Sequence, residues 1–295
     1  MVWEKSLIQY YNFISIERNL SKNSVESYMR DITQFSKFNT KTPPLKIKRK
    51  NILAYINHIN DHSISARSQA RILSSIRSFF NFLIFENKIT SDPCEHIYSP
   101  KIGSKIPITL SVQEIDKIIE SIDLSQENGE RNRAIIECLY SCGLRVSELI
   151  TLKISNLLFN EKIVQIIGKG NKQRIVPLSN TLIKYLTNYI QFIRSKQEID
   201  SKSTDILFLN RRGNQISRVM IFNIVKDLGK TAGIQKNISP HTFRHSFATH
   251  LVEGGADLRV VQEMLGHTNI TTTEVYTHLN NDYLRQEIID YHPRA

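Results

Sequence analysis

The chain has 295 residues, a length that allows two domains, each with its own hydrophobic core. Apolar residues make up 40% and charged residues 23%, which is typical of a globular protein, and no apolar run reaches the length of a membrane span. The first residues lack the basic and then apolar layout of a signal peptide, so we expect a cytoplasmic protein without a membrane segment.

Positive charge is concentrated in the first third of the chain. The net charge is +11, and residues 1–105 hold 16 Lys and Arg against 8 Asp and Glu, which is +8 of that total. Such an excess favours a polyanionic partner, of which nucleic acid is the common case. A basic surface that is merely solvated has the same composition, so charge alone does not decide between the two.

Helical periodicity extends from Trp3 to about Asn87. Three- and four-residue spacing predicts buried faces formed by Leu7, Ile8, Tyr11, Ile14, Ile72, Ile76, Phe79, Phe80 and Leu83. A second stripe on the last of these helices consists of Arg67, Arg71, Ser74 and Ser78. This stripe either contacts phosphates or is a solvated face.

A linker is predicted at residues 93–107, where three prolines and a glycine occur without any periodicity. It separates an N-terminal helical domain, residues 1–92, from a second domain, residues 108–295. Just after the linker, Ser111 and Glu114 have the spacing of a capping box, which predicts a helix that begins at about Val112.

The second domain is predicted to be mainly helical, with one β-hairpin. Residues 163–178 place two β-branched runs around Gly168-Lys169-Gly170-Asn171, so that Lys169 lies at the tip of a surface hairpin. The spacing of a P-loop is absent, and nucleotide binding is not expected. The fold class is therefore mainly α, with two domains that form a clamp and a small β-hairpin or sheet in the second.

An arginine is predicted at the junction of two helices in the segment LYSCGLRVSEL, residues 139–149. One helix ends at Gly143, and Arg145 begins the next. A buried arginine needs an anionic partner, which either Glu148 or a bound phosphate could supply.

The three cysteines indicate neither a disulfide framework nor a zinc site, and we interpret Cys138 and Cys142 as core residues.

Histidines are concentrated late in the chain, where six of the nine lie at or after residue 241. Ser239, Pro240 and His241 have the layout of a helix N-cap and the first two helical residues. His241 and Arg244 would then share a face at the positive end of the helix and could bind phosphate, although a capped helix with a surface arginine has the same pattern. His241 and His245 are also spaced like two metal ligands on a helix, but no third ligand is evident and no metal is expected.

The candidate residues are cations, histidines and a tyrosine, without a cluster of carboxylates to hold magnesium. Phosphoryl transfer without metal requires fixed cations in place of the ions and a side-chain nucleophile in place of activated water. Arg145 and Arg244 are the candidate cations, and Tyr276 is the candidate nucleophile.

Six residues, in five segments that follow one another in fixed order, carry a resemblance to a known family. They contain Arg145 in GLRVSEL, Lys169 in GKGNKQRIVPL, His241 and Arg244 in SPHTFRHSFATHL, His267 in LGHTNITTT and Tyr276 in EVYTH. Together they resemble the tyrosine site-specific recombinases of the phage integrase family, and among these the Xer recombinases. The similarity covers nearly the whole chain, and the ending YHPRA is more similar to the XerD type than to the XerC type. Two positions depart from the pattern, Cys142 and Phe243, and neither removes a catalytic group.

The resemblance implies a role for each residue. Tyr276 would attack a DNA phosphodiester to form a 3′-phosphotyrosyl bond and release a 5′-hydroxyl, with His241 as general base and Lys169 as general acid. Arg145 and Arg244 would bind the non-bridging oxygens, His267 would hydrogen-bond the phosphate, and Glu148 would orient an arginine. No metal, ATP or other cofactor would be required.

The resemblance also implies partners. The substrate would be double-stranded DNA, bound in part through Arg67 and Arg71, and the reaction would resolve chromosome dimers during cell division. The protein would act in a tetramer with a second, XerC-type recombinase, activated by a septal DNA translocase, and the segment EIIDYHPRA would dock on a neighbouring subunit. The alternatives are an integrase of a mobile element, a type IB topoisomerase-like enzyme and a catalytically silent DNA-binding scaffold. We expect no arm-binding domain before Trp3, which disfavours an arm-binding phage integrase.

Overall fold

The computed structural model of the chain describes residues 2–101, 103, 107–168, 172–266 and 281–294. The chain divides into two compact units, Met1–Lys105 and Ile106–Ala295. The division lies within the predicted linker, residues 93–107. Cys94 and Ile97 are nevertheless buried in the core of the first unit, so the start of that linker packs against the helices before it. Within the described ranges, no helix is both long and apolar enough to cross a membrane.

The first unit is entirely helical among its described residues. Its helices are α1 (Val2–Asn12), α2 (Lys22–Phe38), α3 (Arg49–Asp61) and α4 (Ala66–Phe85). A π-helical turn, Phe13–Glu17, continues α1, and a 3₁₀ turn, Pro44–Lys46, precedes α3. Helices α2 and α4 pack against each other around a cluster of aromatic rings, in which Trp3 stacks on Phe79 at 5.7 Å between centroids.

The buried face predicted for α4 is confirmed, whereas the face predicted for α1 is wrong in part. Ile8 and Tyr11 are 58% and 49% exposed. Ile14 is buried as predicted, and the other residues of α1 and its π-helical turn that enter the core are Tyr10 and Phe13. Both stripes satisfy helical spacing, and the sequence of an isolated helix does not say which of two adjacent apolar stripes faces its neighbours.

The second unit is mainly helical. Its helices are α5 (Val112–Glu120), α6 (Gly129–Ser141), α7 (Val146–Ile150), α8 (Asn180–Asn188), α9 (Arg218–Thr231), α10 (Pro240–Gly254), α11 (Leu258–Leu265) and α12 (Asn281–Tyr291). Short 3₁₀ and π-helical turns occur at Ile154–Asn156, Tyr189–Ile193, Arg194–Lys196 and Ser201–Ser203. The predicted start of α5 is confirmed, because Ser111 Oγ accepts from the Glu114 N–H and Glu114 Oε2 accepts from the Ser111 N–H.

The predicted hairpin forms two strands of a three-stranded antiparallel sheet. Its strands are β1 (Leu157–Leu158), β2 (Ile163–Ile167) and β3 (Gln173–Pro177), in that spatial order. Ile166 pairs with Arg174 across β2 and β3, and the Gly168 N–H donates to Lys172 O at 2.8 Å. The tip of the hairpin, residues 169–171, lies outside the described residues, so the predicted position of Lys169 stays a prediction.

The core of the second unit is formed where α6 packs against α10. Phe243 and Phe247 of α10 are fully buried there, as are Cys138 and Cys142, whose thiols are free. The interpretation of these cysteines as core residues is confirmed. Burial raises the pKa of the Cys142 thiol to about 12, so it stays protonated at neutral pH.

The C-terminal segment packs on its own unit. Leu284 and Ile288 of α12 are buried in the core, and α12 contacts α10 and β3. Beyond α12, Arg294 pairs with Asp116 of α5 and with Glu137 of α6. The expectation that residues 287–295 dock on a neighbouring subunit stays a prediction, and within one chain the described part of this segment is held by its own unit.

Candidate active site

Helix α10 begins as the sequence predicts. Ser239 is the N-cap, Pro240 is the first helical residue, and the Ser239 N–H donates to Thr242 Oγ1 at 3.0 Å. Arg244 follows His241 by one turn on the same face of the helix. His241 is exposed and Arg244 is buried, so this end of α10 offers one accessible imidazole and one enclosed guanidinium.

The turn between α6 and α7 places Arg145 beside this helix. Helix α6 ends at Ser141, two residues before the predicted end, and Gly143 then adopts φ +56°. A Cβ atom on Gly143 would lie 2.6 Å from Cδ1 of Phe247, so the close approach and the left-handed backbone both require glycine. Arg145 is the N-cap of α7, as predicted, and its N–H donates to Glu148 Oε2 at 2.8 Å.

Glu148 is the centre of the site. Its side chain is buried, and Oε1 accepts from Arg145 Nη1 at 2.9 Å. Both of its oxygens accept from Arg174, Oε1 from Nη1 and Oε2 from Nη2, each at 2.8 Å. Arg244 Nη1 lies 3.9 Å from Oε2. One carboxylate therefore faces three guanidinium groups, which leaves an excess of two positive charges.

Backbone carbonyls at the end of α11 complete the arginine contacts. Leu265 O accepts from Arg145 Nη1 at 3.1 Å and from Arg244 Nη2 at 2.6 Å. Met264 O accepts from Arg174 Nε at 2.6 Å, and Gly143 O accepts from Arg244 Nη1 at 2.7 Å. The C-terminal end of a helix carries partial negative charge, which suits a cationic cluster.

The pKa values in the site follow from this crowding. Burial, with the neighbouring charge of Arg145, lowers the pKa of Arg244 to about 10. Burial alone would raise the pKa of the Glu148 carboxyl, but hydrogen bonds and charge from Arg174 and Arg145 outweigh it and lower that pKa below the usual glutamate value. Partial burial and electrostatic repulsion from the neighbouring side chains of His245, Arg244 and Arg145 lower the pKa of His241, so its imidazole is neutral at neutral pH.

The structure brings together three residues predicted from the sequence, Arg145, Glu148 and Arg244, and places His241 one turn from Arg244. His267 and Tyr276 lie in the range 267–280, outside the described residues, as does Lys169. Among the residues that the structure describes, no group of three His, Cys, Asp or Glu side chains is placed to hold a metal ion.

Sequence reasoning missed Arg174. It lies on the same face of β3 as Val176, two residues on, and its side chain is only 8% exposed. Alternation along a strand was the available signal, because a charged residue on the buried face of a strand requires a partner. The partner, Glu148, is 26 residues away in the chain, and no local pattern connects the two.

In the first unit, the two predicted DNA-binding arginines have different surroundings. Arg67 is exposed near the start of α4. Arg71 is paired with the buried carboxylate of Asp31 and donates to Ser27 Oγ at 3.1 Å. Ser78, in the same predicted stripe, accepts a hydrogen bond from the Tyr10 hydroxyl at 2.8 Å. Part of this stripe therefore contributes to packing within the unit.

Comparison with known proteins matches residues 109–282 to the phage integrase family and residues 7–87 to its N-terminal SAM-like domain. The chain belongs to the phage integrase family. It is 43% identical over 295 residues to the tyrosine recombinase XerD of Staphylococcus aureus strain N315, covering 99% of this chain and 100% of the relative. The XerD of Staphylococcus epidermidis is also 43% identical, over 290 residues, covering 97% of this chain and 98% of the relative.

Solved structures agree with this assignment. A crystal structure of XerA recombinase is 31% identical, with a TM-score of 0.51, and covers 99% of this chain and 100% of that one. XerH recombinase in a post-cleavage complex with a palindromic difH substrate has a TM-score of 0.71 at 24% identity, covering 91% of this chain and 80% of that one. This family member is accordingly a tyrosine recombinase, an enzyme of site-specific recombination.

The turn at Gly143 gives a first prediction. Gly143→Ala should lower the free energy of unfolding more than Gly233→Ala, a matched control with φ +69° and nothing within 4 Å of its missing Cβ. Both variants carry the strain of a left-handed alanine, but only the first clashes with Phe247, which adds about 1–3 kcal/mol. Denaturant unfolding measures both, and equal losses would contradict the packing argument.

The charge balance around Glu148 gives a second prediction. Glu148→Gln should lower the free energy of unfolding by about 3–5 kcal/mol at pH 7, because three buried or half-buried guanidiniums lose their carboxylate. The Glu148 pKa is depressed in the folded state, so its stabilisation is present above the ordinary glutamate pKa and is lost as pH falls through the lower folded value. Unfolding measured over a pH series should show wild type and variant converging in acid.

Glu114→Gln is the matched control for this variant. Glu114 pairs with Lys236 at 2.6 Å near the surface, and the glutamine keeps an oxygen that can accept from the Ser111 N–H. A partly exposed pair contributes at most about 1 kcal/mol. A loss at Glu148 as small as that at Glu114 would show that the carboxylate does not hold the arginines.

Proposed function

We propose that Arg145 and Arg244 bind the scissile phosphodiester of DNA and that Tyr276 attacks it. The observation that carries this proposal is the charge excess around Glu148, where three guanidiniums share one carboxylate. A phosphodiester adds one negative charge, and a further charge develops in the transition state of phosphoryl transfer, so the excess matches what the reaction supplies. The lowered pKa of Arg244 agrees, because burial and the like charge of Arg145 both disfavour its cationic form, and a bound phosphate would favour that form.

His241 is the proposed general base in this reaction. The tyrosine hydroxyl has an unperturbed pKa near 10 and needs a proton acceptor at neutral pH. The lowered pKa of His241 keeps its imidazole neutral and able to accept that proton. Lys169 is the proposed general acid that protonates the departing 5′-oxygen, and His267 is the proposed hydrogen-bond donor to the phosphate. Attack forms the bond from the tyrosine oxygen to phosphorus and breaks the bond from phosphorus to the 5′-oxygen, and a 5′-hydroxyl can reverse the reaction.

The chain neighbours of Lys169 and His267 that the structure describes, Gly168 and Gly266, lie at the arginine cluster. Gly168, which directly precedes Lys169, lies beside the cluster, because a Cβ atom on it would be 3.7 Å from both Arg174 Nη1 and Glu148 Oε1. Gly266, which directly precedes His267, ends α11 with φ +64°, and its carbonyl accepts from Arg145 Nη2 at 3.4 Å. The segments that lead to both residues therefore start from the arginine cluster, which supports their assignment to the site.

Recombination in the cell is proposed to need two kinds of subunit. By analogy with the relatives named XerD, the protein would act in the cytoplasm with a XerC-type recombinase in a tetramer on two DNA sites, resolve chromosome dimers and be activated by a septal DNA translocase. The first unit would bind DNA through its basic surface, including Arg67. Integration of a mobile element is the alternative function, since the integrase of transposon Tn1549 shares the fold.

A DNA-binding scaffold without catalysis is disfavoured by the site itself. A purely structural cluster would be expected to balance its charges, because buried cations without partners cost free energy. Arg145 is only partly enclosed, with 33% of its side chain exposed, so it can reach a ligand while Glu148 holds it. This is the arrangement of an anion-binding arginine rather than of a core ion pair.

The nucleophile can be tested by trapping. We expect the protein to form a covalent adduct with a nicked suicide substrate in EDTA, with its own site and required partners present, and Tyr276→Phe to form none because the attacking oxygen is removed. Tyr283→Phe is the control, since Tyr283 is exposed on α12 and should form the adduct at the wild-type rate. An adduct with Tyr276→Phe would contradict the assignment, and no adduct with wild type would contradict the proposed function.

The general acid can be tested with a better leaving group. We expect Lys169→Ala to slow cleavage by about 10²–10⁴-fold on ordinary DNA, the usual contribution of general acid catalysis. A 5′-thio leaving group departs without a proton, so it should restore most of the rate. Lys172→Ala is the control, because this exposed lysine lies on the same hairpin and carries the same charge. Equal defects of Lys169→Ala on both substrates would assign the lysine a different role.

A further inference from the structure

Arg174 is the one arginine of the cluster to which the proposed chemistry gives no task. It lies on β3, opposite Ile166 of β2, and its side chain is 8% exposed. Each of the three nitrogens of its guanidinium donates a hydrogen bond within the protein. Nη1 and Nη2 donate to the two oxygens of Glu148, and Nε donates to Met264 O.

These contacts distinguish Arg174 from its two neighbours. The guanidinium of Arg145 donates one hydrogen bond to the carboxylate, and a third of its side chain is exposed. The guanidinium of Arg244 donates to two backbone carbonyls and has the like charge of Arg145 as a neighbour. Arg174 is instead engaged with Glu148 as a bidentate fork, the geometry in which a guanidinium fixes both position and orientation of a carboxylate. It therefore holds the carboxylate that in turn holds Arg145.

The orientation of Glu148 matters because its last torsion is soft. The terminal torsion of a glutamate side chain has broad minima, so a carboxylate held at one oxygen can rotate. Oε1 accepts from Arg145 Nη1 and Oε2 from the Arg145 N–H, so rotation would shift the guanidinium of Arg145 relative to its own backbone. Arg174 also packs against Gly266, whose missing Cβ would lie 3.2 Å from Arg174 Cδ. It thereby joins β3, α7 and the end of α11.

We propose that Arg174 is a positioning residue, which fixes the Glu148 carboxylate and through it the direction in which Arg145 meets the scissile phosphate. The inference rests on the proposed function, because it assigns Arg145 to the phosphate. Arg174 itself touches no DNA. A lysine at this position keeps the charge but offers neither the fork to Glu148 nor the simultaneous bond to Met264 O, so Arg174→Lys removes the geometry and leaves the electrostatics nearly intact.

The matched control is Arg194→Lys. Arg194 is also buried in the second unit, and its guanidinium donates only to backbone carbonyls, those of Ser203, Thr204 and Ile206. The experiment measures the first-order rate of the covalent adduct on saturating suicide DNA, together with thermal unfolding of each variant. We expect Arg174→Lys to lower the rate by about 10- to 100-fold, as a displacement of about 1 Å does at an active site, and Arg194→Lys to leave it unchanged.

Two further measurements separate positioning from loss of structure. In the presence of Arg145→Lys, the change Arg174→Lys should lower the rate of adduct formation little further, because the guanidinium that Arg174 orients is already absent. Independent effects of the two changes on the rate would instead multiply. The defect of Arg174→Lys should also persist with a 5′-thio leaving group, since that substrate replaces only the general acid. Should Arg174→Lys not fold, Arg174→Gln allows the same comparisons.

Three results would overturn the inference: a wild-type rate for Arg174→Lys, multiplicative effects with Arg145→Lys, or full rescue by the thio substrate, which would assign Arg174 to the Lys169 hairpin. Failure of the proposed function looks different, because wild type itself would then form no adduct through Tyr276.

Discussion

The second unit is built around the burial of one carboxylate among three arginines. Removing charged groups from water costs several kcal/mol for each ion, and their attraction offsets this only when hydrogen bonds satisfy them closely. Glu148 meets that condition with four hydrogen bonds and one further cation: two bonds from Arg174, two from Arg145 and the nearby charge of Arg244. The turn after α6, the start of α7, the strand β3 and the end of α11 all have to be in place for these contacts to form.

The three guanidiniums differ in how far the protein satisfies them, and this difference separates support from chemistry. Arg174 uses its fork and its Nε within the protein. Arg244 is bonded to two carbonyls, and burial together with the neighbouring charge of Arg145 lowers its pKa to about 10. Arg145 keeps a third of its side chain exposed. Arg145 is therefore the guanidinium of the three that a phosphate can reach most directly from the surface.

Local patterns predicted most of this site, and the contacts between distant segments could not be predicted. The Ser111 and Glu114 cap, the start of α10 at Pro240 and the pairing of Arg145 with Glu148 each lie within a few residues, so turn and capping chemistry identified them. Arg174 escaped because its partner is distant in the chain. The error in the predicted buried face of α1 also comes from contacts between distant segments, since burial of Ile8 or of Tyr10 depends on which helices pack against α1. Burial of Cys94 and Ile97 within a segment rich in proline is likewise a tertiary effect.

A second buried glutamate, Glu137, shows how the cations around a buried carboxyl set the direction of its pKa shift. Glu137 is as enclosed as Glu148, but burial raises its pKa, because Arg294 at 3.5 Å is its principal cationic neighbour and the carboxylate of Asp116 opposes it. Around Glu148 the balance is reversed by Arg174 and Arg145, and its pKa falls. At Glu137 the charges of Arg294 and Arg133 and a hydrogen bond from Ser141 offset desolvation incompletely, whereas at Glu148 a bidentate arginine and a second arginine donor exceed it. Glu148 therefore remains ionised in the folded protein, and an ionised carboxylate is the condition under which it can hold two arginines in a fixed direction.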